Sequence, residues 1–174
     1  MIQIVDAVVD DVYAIREVQK QTWFATYPNE EYGITLEDLQ ARFTKETEEQ
    51  IENRRKIYSD PSVHIWAAKD GEKIVGFCIA KKEGDSNRIG AIYLLPDYHG
   101  QGIGKQLISK ALNWLGNEKD IYVHVASYNN NAIKFYEKNG FVRTGKDAFE
   151  KSAILPSGKY IPQIEMLKKS STLV

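Results

Sequence analysis

Three glycines in five residues, within His99-Gly100-Gln101-Gly102-Ile103-Gly104-Lys105, stand between an apolar run from Ile89 to Leu95 and a stretch carrying Leu107, Ile108, Ala111, Leu112 and Leu115. The first segment reads as a strand stopped by Pro96, and the second as an amphipathic helix. A strand that enters a helix through such a turn leaves the first helical amides unpaired, and glycines let a ligand approach the backbone closely. The helix dipole favours an anion there, most naturally a phosphate, and Lys105 can add positive charge. The structural alternative is a turn whose glycines only permit positive φ. Two nucleotide motifs do not fit the spacing. Lys105 stands where the dinucleotide fingerprint needs its last glycine, and Gly104-Lys105-Gln106 lacks the hydroxyl residue of a phosphate loop.

Composition narrows the partners. Lys plus Arg total 23 and Asp plus Glu 24, for a formal charge of −1, which gives no footprint for a nucleic acid or an anionic membrane. With 174 residues, 43% of them hydrophobic, the chain is expected to form one domain over 1–174, with a core about 2–168 and a polar, frayed tail at 169–174. No apolar run reaches the ~18 residues of a spanning helix. One cysteine, Cys78, and a start without signal-peptide character point to the cytoplasm. Cys78 lies between Phe77 and Ile79 and reads as a buried structural residue. The three histidines have no metal-ligand spacing, so no metal is expected.

The rhythm of the chain predicts a mixed α/β protein. Ile2 to Val5 alternates as a strand, and Asp10 or Asp11 can cap a helix carrying Val12, Ile15 and Val18. Trp23, Phe24 and Tyr27 follow before the break at Pro28-Asn29. Thr35 and Asp38 have capping-box spacing ahead of one long charged helical region that ends near Pro61. Asp70-Gly71 joins two alternating runs into a hairpin, and a third strand follows Asn87. Ile121 to Val125, a helix begun at Asn129 and ended at Gly140, Phe141-Val142 and a last strand from Tyr160 to Leu167 complete the order. A mixed sheet results, with helices against it and its parallel portion at the strand, glycine turn, helix, strand unit.

The glycine turn resembles the pyrophosphate signature Gln/Arg-x-x-Gly-x-Gly/Ala of the GNAT superfamily of acetyl-CoA-dependent N-acetyltransferases. Both glycines, Gly102 and Gly104, match, while His99 departs from the Gln or Arg of the first position. The segment from Asn129 to Phe141 is similar to that family's Asn-x-x-Ala-x-x-Phe-Tyr-x-x-x-Gly-Phe helix. The resemblance implies a largely antiparallel sheet flanked by helices, in which the strand before the glycine turn is bulged and splays from its parallel neighbour. It implies acetyl-CoA as cosubstrate and direct attack by an amine within a ternary complex. The pyrophosphate would lie on His99, Gly100, Gln101, Gly102, Ile103, Gly104 and Lys105, the pantetheine amides on the backbone around Tyr93, Leu94 and Leu95. Asn129 would touch the cofactor, or act locally as a helix cap.

By the same resemblance Tyr136 is the general acid for the departing thiolate, with a packed core tyrosine as the alternative. Many relatives carry a glutamate on the strand before the glycine turn, but Arg88-Ile89-Gly90-Ala91-Ile92-Tyr93 has none. The base is therefore open among His124, Glu30, Glu31, Glu165 and a water chain. Trp23, Phe24, Tyr27, Tyr32 and Tyr128 can line an acceptor pocket or serve as core. Glu30 and Glu31 suit a cationic acceptor, and the carboxyl-terminal half broadly resembles bacterial polyamine acetyltransferases. A small-molecule amine is the expected acceptor, with a protein amino terminus as another, and a homodimer is expected from the family. A coenzyme A sensor without catalysis is the alternative function, motivated by the missing glutamate.

Overall fold

The computed structural model describes residues 1–44 and 46–171. Its elements are β1 (Ile2–Asp6), α1 (Val12–Thr26), α2 (Leu36–Thr44), α3 (Glu48–Lys56), β2 (Val63–Asp70), β3 (Lys73–Lys82), β4 (Asn87–Leu94), α4 (Ile103–Leu115), β5 (Ile121–Ala126), α5 (Asn130–Lys138), β6 (Val142–Ala148) and β7 (Gln163–Lys168). The strands form one seven-stranded sheet in the order β1-β2-β3-β4-β5-β7-β6. Every neighbouring pair is antiparallel except β4 with β5. The mixed sheet read from the sequence is therefore present.

Alternation along β2 to β4 divides two faces. Trp66 meets Trp114 of α4 edge-on, with ring centroids 6.1 Å apart, so α4 covers that face. Ile65, Phe77, Ile79 and Ala91 point the other way and share a small cavity wall with Val12 and Ile15 of α1. A second apolar cluster, built from Trp23, Ile34, Leu39, Ala126, Ala153, Leu155 and Ile161, joins the end of α1 to α2 and to the β6–β7 connection.

Several boundaries differ from the sequence reading for identifiable reasons. The charged region after Thr35 is two helices. Thr35 and Asp38 exchange the expected bonds, Asp38 N–H to Thr35 Oγ1 at 3.2 Å and Thr35 N–H to Asp38 Oδ2 at 3.1 Å. A second reciprocal box, Thr47 with Gln50, restarts the chain as α3. Neither Asp10 nor Asp11 caps α1 through its side chain. Asp11 instead accepts from the Val8 amide and pairs with Lys69 at 3.1 Å. The last strand begins at Gln163, not Tyr160, because Tyr160 belongs to an isolated bridge with Ile154 and stacks on Phe149.

The expected fraying after β7 is not seen at Lys169, Ser170 and Ser171. Asp120 binds the Lys169 ammonium at 2.9 Å and the Ser170 amide at 2.8 Å, and Ser171 N–H reaches the Asn117 carbonyl. Thr172, Leu173 and Val174 of that tail lie outside the described residues. Cys78 is fully buried in the main core, and burial pushes its thiol pKa up. His64 pairs with Asp6 and stacks on Trp66, a structural placement.

Candidate active site

The glycine turn is built as a backbone cradle. A short 3-10 turn at Pro96–Tyr98 leads into Gly100 at φ 76° and Gly102 at φ 78°, and Gly102 is the N-cap of α4. The first intrahelical bond runs from the Gln106 amide to the Gly102 carbonyl, leaving the amides of Ile103, Gly104 and Lys105 without intrahelical acceptors. A Cβ on Gly100 or Gly102 would meet nothing within 4 Å, so these positions need glycine for their left-handed backbone and leave the cradle open. A Cβ on Gly104 would lie 3.4 Å from the Phe135 ring, so this glycine sets the approach of α4 to α5.

The side chains of the turn mostly face elsewhere. Ile103 is 2% exposed and belongs to the core, so only its backbone is available to a ligand. Gln101 Nε2 donates to the Asp97 carbonyl at 3.2 Å, and Lys105 is exposed. His99, which departs from the family pattern, donates Nε2–H to the Leu94 carbonyl at 2.9 Å.

β4 and β5 pair only through Asn87 with Ile121, Arg88 with Tyr122 and Ile89 with Val123, and then separate. The separation starts where β4 carries a bulge: Ile79 faces Ala91 and Ala80 faces Ile89, which leaves Gly90 as the extra residue. Beyond it, the Leu95 amide bonds Val75 of β3 at 2.9 Å. By strand alternation the amide and carbonyl of Leu94 point the other way, into the gap. A splayed gap edged with the Leu94 amide and with the Leu94 carbonyl that His99 already reaches, continuous with an open cradle of helical amides, suits a ligand with an amide-bearing arm and a pyrophosphate. Acyl-coenzyme A has that form.

Tyrosines from both faces meet at this gap. Tyr136 of α5 is 4% exposed, and its hydroxyl makes no hydrogen bond among the described residues. Burial, followed by the neighbouring Cys78 and Tyr93, holds its pKa well above the ordinary phenol value, so it keeps its proton. From the opposite face Tyr27 and Tyr93 share a hydroxyl–hydroxyl bond of 3.2 Å, and Tyr128 donates to the Tyr27 carbonyl at 2.9 Å. Asn129 caps α5 by accepting the Ala132 amide at 3.1 Å, which realises the local role read from sequence and leaves its amide NH2 uncommitted.

His124, on β5 one residue past the last parallel pair, projects on the α1 side of the sheet. Its Nδ1 lies against the Glu150 carboxylate, which also pairs with Arg88. Its Nε2 is 3.9 Å from Glu165 of β7. Burial and then Arg88 pull the imidazole below its ordinary pKa, outweighing Glu165 and Glu83. An open groove of about 420 Å³ runs from His124 and Glu165 past Glu83, Asp85 and Asp120. Arg88 and Glu150 were not singled out from sequence. Glu150 follows an edge strand with no motif around it, so nothing local marks it.

The remaining candidates divide. Glu30 and Glu31 are exposed on the loop after α1. Tyr32 stacks on Tyr128 with centroids 5.3 Å apart. Trp23 is 6% exposed within the second cluster, under the Arg42 guanidinium at 4.8 Å, and Phe24 packs edge-on against Phe43. Beside them Glu46 pairs with both Arg16 and Arg54 at 2.8 Å.

Comparison with known proteins places this architecture. Residues 13–141 match the model of the acetyltransferase (GNAT) family. The peptidyl-lysine N-acetyltransferase YjaB of Salmonella typhimurium is 32% identical over 108 residues, covering 62% of this chain and 66% of that protein. The mycothiol acetyltransferase of Kocuria rhizophila is 30% identical over 139 residues, 74% of this chain and 42% of that protein. The chain thus spans less than two thirds of the length of these relatives. The PaiA N-acetyltransferase from Thermoplasma acidophilum, solved with coenzyme A, superposes with a TM-score of 0.72 at 23% identity, over 97% of this chain and 99% of that one. The chain belongs to the GNAT family of acetyltransferases, whose members take acetyl-CoA as cosubstrate.

Proposed function

We propose that residues 1–174 act as one catalytic domain that transfers acetyl from acetyl-CoA to a primary amine of a small cationic acceptor, with polyamines as the acceptor class. The observation that carries this reading is the continuity of the glycine cradle with the β4–β5 gap, where the protonated Tyr136 hydroxyl has no hydrogen-bond partner among the described residues. The amides of the turn hold the pyrophosphate, and the Leu94 edge holds the pantetheine arm. A strand amide at the gap stabilises the oxyanion of the tetrahedral intermediate.

The acceptor arrives as an ammonium ion along the groove lined by Glu83, Asp85, Asp120 and Glu165. These carboxylates support a cationic acceptor better than the exposed Glu30 and Glu31 do. His124, kept neutral by its lowered pKa, takes one proton at Nε2. The freed amine attacks the thioester carbonyl. As the C–S bond breaks, its electron pair goes to sulfur, which takes the Tyr136 proton. The remaining extra proton on nitrogen returns to the Tyr136 oxygen, and His124 releases its proton to water. Amide, free thiol and one proton result.

The test is thiol release from acetyl-CoA across a panel of polyamines, amino acids, aminoglycosides and peptides. Acceptor-dependent release that is fastest with polyamines is the expected outcome. Saturable coenzyme A binding with no acceptor-dependent release overturns the enzymatic reading in favour of a sensor, and faster turnover of neutral or anionic amines overturns the acceptor class.

A further inference from the structure

A neutral imidazole is a useful base only if its bare nitrogen faces the substrate. Two groups converge on Nδ1 of His124: the Arg88 guanidinium, with a nitrogen 3.1 Å away, and the Glu150 carboxylate. A guanidinium only donates and a carboxylate only accepts. Glu150 therefore takes hydrogen bonds from both Arg88 and the Nδ1–H of His124, and Nε2 is left with its lone pair toward the groove. The Arg88–Nδ1 approach is then two donors drawn to one oxygen. After proton uptake the imidazolium lies between two carboxylates, Glu150 at Nδ1 and Glu165 near Nε2.

Glu150 is itself fixed. Ser152 Oγ donates to its second oxygen at 3.0 Å. Its amide reaches the Tyr160 hydroxyl at 3.4 Å, and that hydroxyl donates to the Ala148 carbonyl at 2.6 Å. The Glu150 and His124 side chains are 23% and 19% exposed, shielded enough for the pairing to matter and open enough for a proton to leave. Other charged groups at the groove are Glu83 and Asp85 from the β3–β4 turn, Asp120 before β5 and Lys146 of β6.

We infer that Glu150 is the positioning residue that holds His124 in the Nδ1–H tautomer and so presents Nε2 as the base, in a site where the strand segment from Arg88 to Tyr93 carries no glutamate. This inference rests on the acetyl-transfer reading above. Its test separates the two. Nitrogen-15 shifts of the imidazole, with only three histidines to assign, report the tautomer in the intact protein without any assay. The expected wild-type state at pH 7 is Nδ1–H with a bare Nε2. An Nε2–H tautomer overturns the inference even if the protein acetylates polyamines.

In Glu150→Gln the carboxylate charge is lost while Arg88 remains, so the imidazole pKa falls further. Turnover at pH 7 is expected to drop on the order of 10–100-fold, with the acid limb of kcat displaced to lower pH and the KM for acetyl-CoA unchanged. An unchanged pH profile, or a Glu150→Gln effect that persists in full on a His124→Gln background, overturns it. If the tautomer is as expected but His124→Gln keeps wild-type turnover, the pairing stands and the assignment of His124 as base fails.

Discussion

The two sides of the β4–β5 gap recognise their ligands with different materials. On the α4–α5 side the site is backbone: glycines at positive φ, unpaired helical amides and a strand edge, with the side chains of His99, Gln101 and Ile103 turned into the core or onto neighbouring carbonyls and Lys105 exposed. On the α1 side it is side chain: His124, Glu150, Glu165, Arg88 and the tyrosines, drawn from segments far apart in the chain. A backbone site tolerates exchange of its side chains and fails when its φ angles are disturbed. A side-chain site fails at single atoms.

The comparison can be broken most sharply at Tyr136, the one side chain on the α4–α5 side expected to take part in the chemistry. Tyr136→Phe should lower kcat by about 10²–10⁴-fold while coenzyme A affinity measured by calorimetry stays the same. Equal turnover would remove Tyr136 as the acid. The next largest effect is expected at Glu46, the carboxylate that pairs with both Arg16 and Arg54. Glu46→Gln leaves two half-buried cations facing each other and should cost about 3 kcal/mol in denaturant unfolding. The Arg16 and Arg54 partners outweigh the burial that opposes them, so the folded-state pKa of Glu46 is depressed. Its contribution is present above the ordinary carboxylate range and is lost as pH falls through the depressed value. The acid unfolding curve of the variant should therefore be flatter there.

Gly102→Val tests the backbone side. With no protein atom within 4 Å of a Cβ, the expected effect comes from a β-branched residue forced to φ 78°. A cost of about 1–3 kcal/mol should appear as a 10–100-fold weaker coenzyme A affinity with kcat largely kept. Retained affinity would refute the pyrophosphate assignment. The pH profile of kcat offers a smaller effect: its acid limb should lie below the ordinary histidine value, since His124 must be neutral and its pKa is lowered, and Tyr136 should impose no basic limb near neutrality. The smallest is Thr47→Ala, which removes the cap of α3 and should cost about 1 kcal/mol without touching coenzyme A binding.

The same contrast explains what was legible beforehand. The strand, glycine turn and helix, the cap at Asn129, the capping box at Thr35 and the hairpin at Asp70-Gly71 all rest on residues close in sequence, so local patterns carry them. The split of the charged region into α2 and α3 was carried by Thr47 and Gln50 and could have been read there. Trp23, read as a pocket residue or core, is buried under Arg42 by a contact no local pattern contains. Tyr160 sits where a strand was expected because its hydroxyl serves the Ala148 carbonyl across a loop.

The amino-acid sequence alone determined the order of elements, the backbone cradle and its family, because hydrogen-bond spacing and φ preferences act within a few residues. Only the tertiary structure decided that β7 lies between β5 and β6, that β4 and β5 part after Ile89 and Val123, and that Glu150 comes to rest against His124 and Arg88. These depend on how distant segments exclude water together, and that interaction leaves no spacing for a sequence to show.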